Sequence, residues 1–107
     1  MVSVLKIERI GNPRQGWRPA WVDHIVALAP HGLRKERISG HVDYTEANSV
    51  GSRGVYCYYF LEPGHLYHVS APVSWCHVDQ YFCVINERCE IERLTIEEVV
   101  NCLRRKC

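Results

Sequence analysis

The residues best suited to do chemistry in this 107-residue chain lie together, from Ala47 to Leu61. A polar, glycine-punctuated run, Asn48-Ser49-Val50-Gly51-Ser52-Arg53-Gly54, leads straight into the aromatic run Tyr56-Cys57-Tyr58-Tyr59-Phe60. Glycines at 51 and 54 permit backbone angles with φ > 0, which let successive N–H groups converge on one point. Asn48, Ser49 and Ser52 add short polar side chains, and Arg53 adds a planar cationic fork suited to phosphate or carboxylate. The chemistry expected of such a segment is capture of an anion. Tyr56 or Tyr58 would stack the flat part of the ligand, with Trp17 or Arg18 as a lid. The plainer alternative is an ordinary turn leading into a strand.

Other candidate chemistry is thinner. Arg14-Gln15-Gly16-Trp17-Arg18 sets two arginines beside a tryptophan, which suits cation–π stacking on a flat anionic ligand or a plain solvated loop. His65, His68, Cys76, His77, Cys83 and Cys89 supply metal-ligand types, but no C-x-x-C pair is present, and strand spacing puts His65 and His68 on opposite faces. No cofactor and no metal is expected. If a metal were held, Cys76 and His77 would be its ligands. Cys76-His77 with Asp79 also has the types of a thiol nucleophile, yet adjacent residues on an extended chain diverge. No residue set compels an enzyme.

The elements that must position these residues follow from periodicity. Residues 2–10 alternate, with Leu5, Ile7 and Arg9 on one face and Val4, Lys6 and Glu8 on the other. Residues 21–28 fit a strand or a helix, and their β-branched content favours a strand. Residues 33–38 read as a charged edge strand or surface turn, and residues 40–54 as a long connection of the kind that is often functional. Val55–Leu61 reads as a strand that is central or whose outer face lines a pocket or subunit contact, with Val55, Cys57, Tyr59 and Leu61 on one side and Tyr56, Tyr58 and Phe60 on the other. Glu62-Pro63-Gly64 predicts a type II turn, with residues 65–71 returning as the hairpin partner. A second hairpin is expected from residues 80–85 and 89–94. Thr95-Ile96-Glu97-Glu98 is a capping box that opens a helix over about 96–105. The expected fold is a single α+β domain spanning 1–107. It is a small, mainly antiparallel sheet or partly open barrel with the C-terminal helix packed against it.

Composition sets the outer bounds. The net charge is +1, distributed as +3 over residues 1–54 and −2 over residues 55–107. That suits a local basic site better than an extended nucleic-acid track. The six cysteines, without a recognisable signal peptide, are expected to be free thiols. Cys57 and Cys83 fall within apolar strand patterns. No window approaches the roughly 20 apolar residues of a membrane span, so a soluble cytoplasmic chain is expected.

Together these features lead us to expect a non-catalytic protein that captures a small phosphate-bearing ligand such as a nucleotide, with homo-oligomerisation deepening a shallow site. Small phage anti-defence proteins that soak up signalling nucleotides share that size and chemistry, though no motif. The alternatives are a protein-interaction or inhibitor module using an exposed aromatic sheet face, and a small Cys/His metal protein or enzyme.

Overall fold

The computed structural model describes residues 2–12, 16–18, 20–47, 53–74 and 76–105. Alternation of apolar and polar residues sets most of it. Strand β1 (Ser3–Arg9) buries Ile7 and exposes Val4, Lys6 and Glu8. Two short segments follow, β2 (Gly11–Asn12) and β3 (Gly16–Trp17), paired as a small hairpin. β4 (Trp21–Ala29) is a strand, as its β-branched residues favour, and β5 (Gly32–Arg37) is its charged edge neighbour.

The long connection expected over residues 40–54 is instead largely strand: β6 (His41–Ala47) lies within it, and β7 (Arg53–Leu61) begins two residues before Val55. β6 escapes an apolar pattern search for a physical reason. It is an edge strand paired to β7 alone, so Val42 on the core side suffices to anchor it. Gly40, just before it, lies so close to Tyr59 that a Cβ there would meet the ring at 2.8 Å.

The second correction concerns β8 (Leu66–Pro72). It does not return along β7; it pairs with β4 and with β9 (Val78–Ile85). The turn between β7 and β8 has the expected type II form, with Gly64 at φ 80 and His65 N–H donating to the Glu62 carbonyl at 3.4 Å. Type II geometry does not match the twist of a tight hairpin, and here it passes the chain from one sheet to another. β10 (Ile91–Leu94) completes the expected second hairpin. Its loop is ordered by Asn86, whose side-chain oxygen accepts from the Arg88 and Glu90 amides at 2.9 and 3.0 Å.

The result is two antiparallel sheets, β1-β7-β6 and β10-β9-β8-β4-β5, that do not close into a barrel. Their inner faces share a core of Ile7, Val22, Cys57, Tyr59, Leu61, Tyr67, Val69, Cys83 and Ile85. Helix α1 (Ile96–Arg105) covers part of the other face of the five-stranded sheet, where Val99 and Leu103 pack on Ile25 and Leu66. β8 therefore has cover on both sides, and Leu66 to Ser70 are all buried. The helix starts as its sequence requires. Thr95 Oγ1 accepts from the Glu98 amide at 3.2 Å, and Glu98 accepts from the Thr95 amide at 3.0 Å. Glu97 and Glu98 in the first turn and Arg104 and Arg105 in the last complement the helix dipole. Among the described residues no helix is long and apolar enough to cross a membrane.

Candidate ligand-binding site

The outer face of the three-stranded sheet has no element packed on it among the described residues. β7 is its central strand, and alternation sends Cys57, Tyr59 and Leu61 inward and Tyr56, Tyr58 and Phe60 outward. Register supplies the neighbours: Lys6 and His41 flank Tyr58, Glu8 and Asp43 flank Tyr56, and Val4 lies opposite Phe60. Residues directly opposite in an antiparallel pair share a face, so this face is aromatic down its middle and charged along the β1 side. Lys6 Nζ sits 4.0 Å from the Tyr56 ring centroid and 6.0 Å from that of Tyr58. The first distance is well inside cation–π range and the second is at its limit. Phe60 remains 59% exposed.

The predicted anion loop is only partly in view. Asn48, Ser49, Gly51 and Ser52 lie outside the described residues. Arg53 and Gly54 open β7, opposite Ala47 and Glu46, so their backbone belongs to the sheet and not to a free loop. Gly54 has the strand parity of Tyr56 and Tyr58, and Arg53 has that of Cys57 and Tyr59. A continuous face thus runs from Tyr58 through Tyr56 to the Gly54 backbone, roughly 7 Å beyond Tyr56 at strand rise. Trp17 closes the β2–β3 hairpin, and the half-buried Arg18 donates its amide to the Ile10 carbonyl at 2.8 Å. Arg14 lies outside the described residues. The cation over the rings is Lys6, which sequence reasoning left unassigned. Alternation groups it with Val4 and Glu8, but the pairing of β1 with β7, some fifty positions away, leaves no local trace.

Two further clusters arise from pairing distant strands. A cleft of about 230 Å³ opens at the seam of the two sheets, lined by His24, Ser39, Phe60, Glu62, His65 and Tyr67 among others. His24 and His65 stack with centroids 4.7 Å apart and planes 15° apart. Near-parallel imidazoles direct their in-plane lone pairs alongside each other, which does not build a tetrahedral metal site. Among the described residues no group of three or more potential ligands converges. Cys76 and His77 are both exposed in the turn between β8 and β9.

The second cluster lies on the helix side of the five-stranded sheet. Asp23 and His68 occupy opposite positions on β4 and β8, and Ser70 is two residues along. All three are buried. Arg37 Nε donates to Asp23 Oδ1 at 2.6 Å, while Arg37 also lies 4.7 Å from the Trp21 ring centroid. His68 Nδ1 is 3.7 Å from Asp23 Oδ2, too far for a direct hydrogen bond. Burial pushes the His68 imidazole below its ordinary value; the charge of Lys35 adds to this, and Asp23 and a hydrogen bond with Gln80 oppose it. The residue types are those of a hydrolytic triad, but the Ser70 hydroxyl is wholly enclosed, at 0% exposure, and has no partner among the described residues. A nucleophile must reach its substrate, so this is a structural cluster.

The buried thiols are equally withdrawn from chemistry. Burial raises Cys57, against the nearby Arg9 charge, and pushes Cys83 up to about 11 against that of Arg93. Both are held as neutral, poorly nucleophilic thiols.

The outer face of β7 is thus a π surface with the Lys6 ammonium over Tyr56. No protein-family profile, curated protein or solved structure matches this chain.

Proposed function

We propose that this chain is a non-catalytic binding protein that captures a small phosphate-bearing ligand of nucleotide type. The reading rests on one observation: Lys6 Nζ lies 4.0 Å over Tyr56 on an open aromatic sheet face that runs to Gly54. A flat ring stacks on Tyr58 or Tyr56, at about 1–3 kcal/mol per base. Lys6 takes the phosphate, together with the polar Asn48–Ser52 segment that leads into β7. On this reading the ligand is held and not turned over, which suits sequestration or sensing.

A thermal-shift panel of mono-, di- and cyclic nucleotides tests this. Ligand that binds only the folded state raises the melting temperature by several degrees at saturation. Tyr58→Ala and Lys6→Ala are expected to abolish the shift. No shift across the whole panel defeats the proposal.

A second reading has its own support. The face is flat, and Val4 and Phe60, directly opposite each other, are 52% and 59% exposed. A protein partner would use them as a hot-spot patch. In that case a pull-down recovers a macromolecule, Tyr58→Ala and Phe60→Ala lose it, and nucleotides do not compete.

A further inference from the structure

We infer that β1 is a self-association edge: two copies pair antiparallel through it about a two-fold axis at Leu5. The two three-stranded sheets thereby join into one of six strands. Sheet edges present unpaired N–H and C=O groups, and proteins shield them in recognisable ways. Three of the four edges of the two larger sheets are shielded. β5 carries Arg34, Lys35, Glu36 and Arg37 in succession, β10 is four residues long, and the β6 ladder is broken by a register shift between Asp43 and Glu46. β1 differs. It is seven residues long and pairs with β7 in unbroken register. Among the described residues, the backbone bonds of turns, loops and caps involve none of Ser3–Glu8.

The apolar surface collects at the same edge. Val2, Val4 and Phe60 are three of the seven exposed large hydrophobics among the described residues, and register brings Val4 against Phe60. The radius of gyration is 15.4 Å, against about 13 Å for a compact domain of this length. An extended molecule of this kind keeps surface that a second copy can cover.

The pleat restricts how the copies meet. Opposite residues share a face, so a two-fold pairing must set outer residues against outer ones. An axis at Lys6 places two lysines directly opposite each other, which is unfavourable. An axis at Ile7 runs Val4 against Ile10, whose carbonyl already accepts the Arg18 amide. An axis at Leu5 uses the full stretch from Val2 to Glu8. It sets Val4 against Lys6 of the second copy and Val2 against Glu8 of the second copy. On the inner side it sets Leu5 against Leu5 and Ser3 against Ile7, extending the apolar core across the axis.

Sedimentation of the full chain tests the pairing and its register, independently of any ligand. The wild type is expected to sediment as a dimer. Val4→Lys sets two lysine pairs across the axis and should weaken the dimer by about tenfold or more. Val4→Lys with Lys6→Glu restores opposite charges at those positions and should recover the dimer. Val4 is exposed in the single chain, so the variant keeps its fold, which far-ultraviolet circular dichroism verifies. A wild type that stays monomeric up to about 100 μM overturns the proposal. So does a dimer indifferent to Val4→Lys, or one that the second substitution fails to rescue.

Discussion

The two outer sheet faces of this molecule are built from the same alternation and meet opposite fates. On the five-stranded sheet, Ile25 and Leu66 lie under Val99 and Leu103 of α1, and the polar residues beside them, Asp23, His68 and Ser70, are sealed in. On the three-stranded sheet, Lys6 lies over Tyr56 and at the edge of reach of Tyr58, and among the described residues no helix covers Tyr56, Tyr58 or Phe60. Covered polar groups become structural, whatever their chemical type. Uncovered aromatics keep their faces available. The difference explains why a Ser/His/Asp set here is structural while a Lys/Tyr set stays accessible.

The contrast predicts unequal costs. Leu103→Ala, at a site 7% exposed, removes a buried side chain and is expected to lower stability by about 2–4 kcal/mol. Phe60→Ala, at 59% exposure, should change it by no more than about 0.5 kcal/mol in the isolated chain. Urea titrations of the two variants check this, and equal losses would mean that the aromatic face is packed against something after all. A smaller effect sharpens the role of the helix as a cover. Thr95→Ala breaks one half of the capping box seen at 3.2 and 3.0 Å and should cost about 1 kcal/mol. Adding Glu98→Ala to it should cost less than the sum of the two single changes, because the two bonds are reciprocal.

The smallest effect concerns the sealed cluster. His68 is held below its ordinary value of 6.5 by burial and by the Lys35 charge. A depressed imidazole binds fewer protons in the folded chain than in the unfolded one. Its contribution is therefore fully present above about pH 6.5 and is lost as pH falls through the folded-state value. Urea midpoints taken from pH 7.5 down to 5 should fall more steeply for the wild type than for His68→Gln. Parallel profiles would show that His68 titrates as it does when unfolded.

Much of this architecture is readable in the chain where the signal is local. The capping box at Thr95 and Glu98, the Pro63-Gly64 turn and the in–out alternation of β7 each depend on residues within a few positions. What escaped depends on pairing at a distance. His41–Ala47 looks like a loop because an edge strand needs little apolar content. Residues 65–71 look like a hairpin partner because each central strand is dense in buried residues, and nothing nearby says that they belong to different sheets. At the candidate site Tyr56 and Tyr58 were legible, since their face follows from alternation, and Lys6 was not. The Asp23–His68 opposition joins residues 45 positions apart, with no motif to announce it.

The change of sheet at Pro63 and Gly64 also governs when the domain can form. By Leu61 a nascent chain has all three strands of the first sheet, β1, β6 and β7. It holds only β4 and β5 of the second, and β8, which joins β4 to β9, has yet to follow. The first sheet must wait with its inner face wet until the chain has grown past Ile85, because the surface it closes on comes mostly from residues made later. Long-range closure of this kind favours slow, all-at-once assembly over stepwise growth. Because β1 precedes every strand it packs with, it waits longest of all the strands for the finished fold.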